Sequence, residues 1–270
     1  MRDLTDLLSK RRSTTTLDRA ALDIARLEYP GLEAAPWISV LDTLATEVNG
    51  IAGPLADGHE FVDAANRVLF GNYGLLGNER DYYDIRNSCL NDVLDRRLGI
   101  PITLSVVYLE VARRLGRSLY GIALPAHFVV QFDDGMFDAY IDPFHGGELL
   151  TRAECVDLVT GRTGAPPPAS SFLPCGPKQI AIRMLQNMKG IYVRNEAWEK
   201  ALAVFDLLTS STGCSPEEYK QRAVVQIQMR RYRAALGDLD KFLKAAPDAA
   251  DRDDVVRQIE AIQRYLAALN

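Results

Sequence analysis

The stretch PITLSVVYLEVARRLGRSLYGIALPAHFVVQFDDGMFDAYID, residues 101–142, decides the fold of this chain. Its first part, from Pro101 to Leu115, is apolar on nearly every side and carries Arg113 and Arg114 in its last turn, with Gly116 following. A proline in the first turn, basic residues in the last turn and a glycine after them are typical of a helix. A helix without a broad polar face must be buried on most of its sides.

Short apolar segments follow this helix. Residues 118–123, 127–132 and 136–142 have strand composition, and the Asp-Asp-Gly run at 133–135 is a turn signal between the last two. Residues 152–160 predict one more short helix. The sequence therefore predicts an α+β domain in which a buried helix packs on an antiparallel sheet.

Composition places the chain among globular proteins. It has 270 residues, of which 47% are hydrophobic and 25% charged, and a formal net charge of −5. This balance gives no reason to expect nucleic acid or an anionic membrane surface as a partner. The first residues lack the apolar run of a signal peptide, and no apolar stretch has transmembrane length. With four scattered cysteines and no CxxC, we expect reduced thiols, a cytoplasmic protein, and neither a metal nor a cofactor.

The chain divides into four predicted parts. Residues 1–14 are polar, and we expect a flexible N-terminus. Residues 15–163 form the α+β domain, which opens with a small bundle of helices at about 17–28, 36–48 and 59–70. Residues 164–176 are rich in Pro, Gly and Ser and indicate a linker. Residues 177–270 are expected to be wholly helical.

The helical part repeats itself. The run Trp198-Glu199-Lys200-Ala201-Leu202 recurs as Tyr232-Arg233-Ala234-Ala235-Leu236, 34 residues later. A helical hairpin cannot bury its own apolar face, so hairpins of this period stack on one another. The offset resembles that of the tetratricopeptide repeat (TPR), and a generic helical bundle is the alternative.

Two residues of the α+β domain suggest chemistry. His127 is predicted at the head of one strand and Asp142 at the end of the next, so the two side chains can lie side by side. A carboxylate that orients an imidazole is half of a papain-like Cys-His-Asp site. The alternative is a structural hydrogen-bonded pair. The nucleophile is missing: Thr103, in the first turn of the buried helix, is a poor one, and Cys89 lies 12 residues before Pro101.

Three longer motifs resemble a known family. They are DYYDIRNSCLNDVLDRRLGIPITLSVVYLEVARRLG, LPAHFVVQF and YIDPFHGG. Together they resemble the bacterial SirB-type family of transglutaminase-like proteins with C-terminal TPR repeats, over most of the chain from about Leu17 onward. The resemblance implies a transglutaminase-like core, helices before it and TPR hairpins after it.

Carrying the family pattern over residue by residue implies an incomplete triad. His127 matches the histidine and Asp142-Pro143 matches the Asp-Pro, whereas the position of the catalytic cysteine falls on Pro101. The sequence also has Ala126 where the family usually has glycine before the histidine, and Ile85 where it usually has proline after DYYD. We expect Ala126 to tighten the approach to His127. His145-Gly146-Gly147 follows Asp142 and either lines the same cleft or forms a simple turn.

Two functions remain open on this basis. The first is a non-catalytic transglutaminase-like protein that binds an unknown protein or peptide on its TPR face, with a regulatory role. Four basic residues there favour an acidic ligand segment: Arg183, Arg222, Arg230 and Arg231. The second is a cysteine amidase, peptidase or acyl transferase that uses Cys89, His127 and Asp142.

Overall fold

The computed structural model describes residues 1–10, 13–53 and 56–268. Contacts divide the chain into two compact units. The first holds Met1–Leu7 and Ser13–Met184, and the second holds the described parts of Leu8–Arg12 and Leu185–Asn270. Within the described ranges, no helix is long and apolar enough to cross a membrane.

The first unit mixes helices with an antiparallel sheet, as predicted. That sheet has five strands, and the unit also has a parallel pair of two short strands. Its helices are α1 (Arg2–Ser9), whose residues from Leu8 onward belong to the second unit, α2 (Leu17–Ala25), α3 (Ala35–Ala52), α4 (Gly58–Asn66), α5 (Leu90–Arg96), α6 (Pro101–Arg114) and α7 (Arg152–Thr163). Its strands are β1 (Leu76–Gly77), β2 (Leu98–Gly99), β3 (Leu119–Ile122), β4 (Val129–Asp133), β5 (Asp138–Asp142), β6 (Glu148–Leu150) and β7 (Pro174–Cys175). The parallel pair consists of β1 and β2.

Helix α6 is the centre of this unit. Every residue from Pro101 to Ala112 is buried, and the helix packs against β3 and β4. The sheet has the order β6-β5-β4-β3-β7, and each neighbouring pair is antiparallel. The predicted arrangement of a buried helix on an antiparallel sheet is confirmed.

The N-terminus differs from the prediction. Residues 1–14 were expected to be flexible, but Arg2–Ser9 form α1, in which Leu4, Leu7 and Leu8 are buried. Leucines three and four residues apart cover one face of a helix, so even this short polar segment has an apolar side to bury. The backbone N–H of Leu4 also donates to the buried carboxylate of Asp23 at 3.0 Å.

The predicted linker is also part of the folded domain. Within 164–176, residues Ala169–Phe172 form a 3₁₀ turn, and β7 pairs with β3 at the edge of the sheet. Phe172 is buried, with its ring centroid 5.7 Å from that of Tyr140. The Pro-rich composition indicated a stiff connection, but the apolar ring of Phe172 attaches it to the core.

The second unit is helical throughout its regular elements. They are α8 (Pro177–Arg194), which enters this unit at Leu185, and then α9 (Trp198–Ser210), α10 (Pro216–Gln228), α11 (Tyr232–Ala245) and α12 (Arg252–Ala268). Successive helices α9, α10, α11 and α12 pack on one another.

The 34-residue repeat recurs in backbone geometry. Trp198 is the first residue of α9 and Tyr232 the first residue of α11. Two residues before each of them the backbone has a positive φ, 54° at Glu196 and 57° at Arg230. In both hairpins, therefore, the residue at the equivalent position of the turn has a left-handed backbone conformation.

The same offset relates the buried side chains of the two hairpins. A small residue at one position and large apolar residues at two others are buried in both copies. The pairs are Ala201 with Ala235, Phe205 with Leu239, and Leu208 with Phe242. The predicted repeat is confirmed in the fold, because equivalent positions have equivalent burial.

Candidate functional site

His127 and Asp142 form a buried hydrogen bond, as expected. Nε2 of His127 lies 2.7 Å from Oδ2 of Asp142, and neither side chain is exposed to solvent. Asp142 ends β5, and the antiparallel pairing of β5 with β4 brings it beside His127. His127 does not head a strand, however, because β4 begins two residues later, at Val129.

Strand β4 begins after His127 because a tight turn precedes it. The N–H of His127 bonds to the carbonyl of Leu124 at 3.2 Å, and Ala126 has a φ of +55°. A side chain in this left-handed region costs roughly 1–2 kcal/mol relative to glycine. Ala126 therefore occupies a strained position immediately before His127, where the resembling family usually has glycine.

Asp142 accepts three hydrogen bonds through its side chain. Besides the bond to His127, Oδ1 accepts from the N–H of Phe144 at 3.0 Å and Oδ2 from Nδ1 of His145 at 2.7 Å. Burial by itself would raise the pKa of Asp142, but its hydrogen bonds with His127 and His145 lower it below its usual value. Asp142 is therefore a carboxylate that holds two imidazoles.

His145 belongs to the site and to a turn at once. Its Nδ1 bonds to Asp142, while its Nε2 lies 4.0 Å from Oε1 of Glu79 on the solvent side. Gly146 and Gly147, which follow, both have positive φ values. The His-Gly-Gly run forms a turn, and this turn directs the His145 ring back to Asp142.

The other ring nitrogen of His127 bonds to an arginine. Nη1 of Arg162, in the last turn of α7, lies 2.6 Å from Nδ1 of His127 and 3.4 Å from the carbonyl oxygen of Ala126. A guanidinium only donates, so Nδ1 must be the acceptor. The partners therefore assign the neutral tautomer of His127, in which Nε2–H donates to Asp142.

The electrostatics of His127 favour the same neutral form. Burial is the main cause that lowers its pKa, and the nearby charge of Arg162 lowers it further. The hydrogen bond and charge of Asp142 act in the opposite direction but do not outweigh them. In this arrangement both ring nitrogens are engaged, so the imidazole has no lone pair left with which to deprotonate a nucleophile.

The first turn of α6 provides no nucleophile in the described geometry. Pro101 is its first residue, and the hydroxyl of Thr103 accepts from the N–H of Ile100 at 3.1 Å and donates to the carbonyl of Asn87 at 2.8 Å. The Thr103 hydroxyl thus secures the helix start, which Ile100 cannot cap through its own side chain.

Neither buried cysteine of this unit has the surroundings of an activated thiol. Cys89 is fully buried immediately before α5, and Asp142 and Arg162 already engage both nitrogens of His127. Burial, followed by the charge of Asp142, raises the pKa of Cys155 to about 12. A thiolate is the reactive form of cysteine, and burial in apolar surroundings opposes it.

Three ligand atoms of the kind that bind metals meet at this point. They belong to His127, Asp142 and His145, and all lie within 4.8 Å of one another. The tautomer required by Arg162 leaves a proton on Nε2 of His127, however, and a protonated nitrogen does not coordinate a cation. In this arrangement hydrogen bonds join the three side chains. A metal ion on Nε2 of His127 would move the ring proton to Nδ1, and Nδ1 could then no longer accept from Arg162.

Sequence reasoning missed Arg162. It lies 35 residues after His127, in the last turn of a helix, where a basic residue is common because it complements the helix dipole. Nothing in the local sequence distinguishes Arg162 from such a residue, and only the packing of α7 against β5 and β6 brings it near the histidine.

The second unit contains an apolar cavity of about 310 Å³. Its walls come from α8, α9 and α10 and include Val193, Trp198, Phe205, Val224 and Val225. Of these wall residues, Val224 is 46% exposed and Val193 is 38% exposed. The cavity is a groove that remains open to a ligand.

The basic residues predicted to attract an acidic ligand do not form a free basic face. Arg222 pairs with the buried carboxylate of Asp238 at 2.6 Å, and Arg231 lies 3.1 Å from Glu199. Arg183 falls within the first unit. Of the four arginines, therefore, only Arg230 both lies in the second unit and has no ion pair among the described residues. The charge argument for an acidic segment is therefore weak.

Both parts of the chain have counterparts in known proteins. Residues 35–186 match the model of the transglutaminase-like superfamily, and residues 188–260 match that of the tetratricopeptide repeat. A UPF0162 protein of Xylella fastidiosa is 35% identical over 254 residues, which cover 90% of this chain and 88% of the relative. A UPF0162 protein of Vibrio cholerae is 26% identical over 206 residues, or 74% of this chain and 75% of the relative.

One further relative is eukaryotic. Human F-box only protein 21 is 36% identical over 137 residues, which cover 48% of this chain but only 21% of that protein. The similarity therefore concerns one part of a much longer molecule. The match of residues 35–186 and the 35% identity over most of the chain establish that this protein belongs to the UPF0162 family, with a transglutaminase-like domain followed by tetratricopeptide repeats.

Proposed function

We propose that this protein is a non-catalytic transglutaminase-like protein that acts by binding another protein through its TPR unit. The observation that carries the proposal is the state of His127, whose two ring nitrogens bond to Asp142 and Arg162. A transglutaminase-like enzyme needs one of those nitrogens to activate a thiol. The residue at the expected thiol position is Pro101.

The binding function rests on the groove of the second unit. TPR repeats generally mediate protein–protein interactions, and this groove combines exposed Val193 and Val224 with the ring of Trp198. Lys189, on the same wall, is already neutralised by Glu218 at 2.9 Å. We infer a partner segment with aliphatic or aromatic anchors, since exposed apolar surface of this kind marks interaction sites. A regulatory role and a cytoplasmic location remain part of the proposal.

A comparison of variants tests the binding function. Tagged wild-type protein, a Val224→Asp variant and an Ile51→Asp variant are used as baits in the extract of the source cell, with quantitative mass spectrometry of what they retain. Ile51 is a matched control, because it is 43% exposed but lies on α3 of the other unit. A protein retained by wild type and Ile51→Asp but lost by Val224→Asp supports the proposal. Equal retention by all three baits contradicts it.

The enzyme alternative needs its own measurement. Purified protein is incubated with a glutamine-containing peptide and a labelled amine, and separately with acyl ester substrates, beside a Cys89→Ala variant. We expect no turnover by either protein. Turnover that the Cys89→Ala variant lacks would show that Cys89, His127 and Asp142 act as an enzyme.

A further inference from the structure

Asp142 is a buried carboxylate without a lysine or arginine partner. Its side chain is fully buried and bonds to the two imidazoles and to the N–H of Phe144. Among residues 1–10, 13–53 and 56–268, no lysine or arginine forms an ion pair with it. A buried charge in a protein is normally paired with an opposite charge or coordinates a metal ion. A cation at this point would therefore be stabilised by Asp142.

The two rings present nitrogen ligands to the same carboxylate oxygen. Nε2 of His127 and Nδ1 of His145 each lie 2.7 Å from Oδ2 of Asp142, and the three atoms lie within 4.8 Å of one another. With bonds of about 2.0–2.1 Å, neighbouring ligands of a tetrahedral zinc ion are about 3.3 Å apart. Each ring therefore needs to withdraw from Oδ2 by only about 0.6 Å to admit the ion. His145 is 32% exposed, which gives access from solvent.

Neighbouring groups orient two of the three ligands. The N–H of Phe144 donates to Oδ1 of Asp142 at 3.0 Å, which leaves Oδ2 facing the rings. When Nδ1 of His145 binds a metal, the ring proton moves to Nε2, which lies 4.0 Å from Oε1 of Glu79. The side chain of Glu79 is 76% exposed and can turn to accept this proton in a hydrogen bond. A carboxylate behind a metal-bound histidine is a common arrangement in metal sites.

Arg162 is the group that opposes a cation here. Its Nη1 lies 2.6 Å from Nδ1 of His127, and a metal on Nε2 would place the ring proton on that same Nδ1. The guanidinium must then leave the ring. Arg162 is exposed in the last turn of α7, and its hydrogen bonds within the described ranges go to His127 and to the carbonyl of Ala126. Both acceptors are neutral, so water can replace them when Arg162 turns to solvent.

We propose that His127, Asp142 and His145 bind a divalent transition-metal ion, expected to be Zn²⁺. The ion is coordinated by Nε2 of His127, Oδ2 of Asp142 and Nδ1 of His145, a ligand set typical of zinc sites with an open position. Binding displaces Arg162 from Nδ1 of His127. The sequence predicted no metal because its cysteines lack zinc spacing, but this site uses no cysteine. It lies in the first unit and is independent of the binding function proposed for the TPR unit.

Histidine resonances test the site directly, because the chain has three histidines and two of them belong to it. Untagged protein labelled with ¹³C and ¹⁵N in histidine is treated with EDTA, transferred to EDTA-free buffer at pH 7.5 and titrated with zinc chloride. We expect the Cε1–H resonances of His127 and His145 to move together and saturate at one equivalent, with a Kd below about 10 µM. His59 is the internal control, because it forms an exposed pair with Asp63 at 3.3 Å, and its resonance should not move.

The tautomers of the two rings give a second readout. Two-bond ¹H–¹⁵N spectra should show Nε2–H for His127 and Nδ1–H for His145 before zinc is added. After one equivalent of zinc, the protons should be on Nδ1 of His127 and Nε2 of His145. Zinc that shifts His145 alone shows coordination by an exposed imidazole, and zinc that binds without shifting a histidine shows coordination by the cysteines. Either result overturns the proposal.

Variants separate the ligands from the group that opposes them. The Kd is read from the His127 resonance in competition with a chelator of known affinity. His145→Gln removes a partly exposed ligand and should weaken zinc binding about tenfold or more, whereas His59→Gln should leave the Kd unchanged.

Arg162→Met removes the competing donor and its charge and should tighten zinc binding about tenfold. Arg152→Met is the matched control, because Arg152 is an exposed arginine of the same helix whose guanidinium lies over the ring of Phe172, and should leave the Kd unchanged. If His145→Gln binds zinc as wild type does, the site is wrong. If Arg162→Met does so, the displacement of Arg162 is wrong.

Discussion

Nη1 of Arg162 lies 2.6 Å from Nδ1 of His127, the ring nitrogen that does not contact Asp142. In an active transglutaminase-like triad, one ring nitrogen bonds to the carboxylate and the other accepts a proton from a thiol. Here the guanidinium of Arg162, which is always charged, occupies the position of the thiol beside the second ring nitrogen. His127 and Asp142 are hydrogen-bonded, but the lone pair on Nδ1 of His127 accepts a hydrogen bond from Arg162.

Replacement of Arg162 should change the titration of His127. Because the charge of Arg162 disfavours the imidazolium form, Arg162→Gln should raise the pKa of His127. The pKa is measured from the Cε1–H resonance of His127 between pH 4 and 8. Arg152→Gln is the control, since Arg152 lies on the same helix but is stacked 4.1 Å above the ring of Phe172. An unchanged His127 titration in Arg162→Gln would mean that the guanidinium does not contact the ring in solution.

The stability of the protein should fall on acidification, partly because of His127. Its pKa in the folded state lies below the unfolded value of about 6.5, so the unfolded chain takes up the proton first. The contribution is intact above pH 6.5 and is lost as the pH falls through the folded-state pKa. The lowered pKa of Asp142 acts with the same sign in a more acidic window, below about pH 4.

Urea unfolding at pH 7.5 and 5.0 tests the histidine contribution. The difference in the free energy of unfolding between the two pH values should be smaller for His127→Gln than for wild type. His59→Gln serves as the control, because the side chain of His59 is 61% exposed at the surface of α4. If His127→Gln retains the full wild-type difference, the loss on acidification arises elsewhere.

Ala126 offers a stabilising substitution. Ala126→Gly relieves the cost of a positive φ but increases the entropy of the unfolded chain, for a net gain of about 0.5–1 kcal/mol in the free energy of unfolding. Ala261→Gly, at an exposed position in α12, should have the opposite sign and a cost of about 0.5–1 kcal/mol. Thermal and urea unfolding measure both. A loss of stability in Ala126→Gly would contradict the left-handed conformation.

Ala235 should not accept a larger side chain. It is fully buried in α11, in a cluster with Leu239 and Phe242, so Ala235→Leu should overpack the cluster and cost roughly 1–3 kcal/mol. The neighbouring Ala234 is exposed, and Ala234→Leu should change the free energy of unfolding by less than about 0.5 kcal/mol. Equal unfolding midpoints for the two variants would show that Ala235 does not lie at a close helix contact.

The sequence alone determined the features that depend on local pattern. The composition of α6, with Pro101 at its start, predicts a buried helix, and the 34-residue offset of Trp198 and Tyr232 predicts the stacked hairpins. The pairing of His127 with Asp142 follows from a turn between two strands of similar length. Each of these signals lies within one element or between neighbouring elements, where periodicity and turn chemistry are sufficient.

Only the tertiary structure decided what the histidine does. Arg162 approaches His127 across 35 residues because α7 packs on the sheet, and the left-handed Ala126 sets where the ring lies. In the same way, Phe172 turns an expected linker into an edge strand, and three leucines turn an expected flexible tail into α1. These outcomes depend on contacts between segments distant in sequence, whose partners a local pattern does not specify.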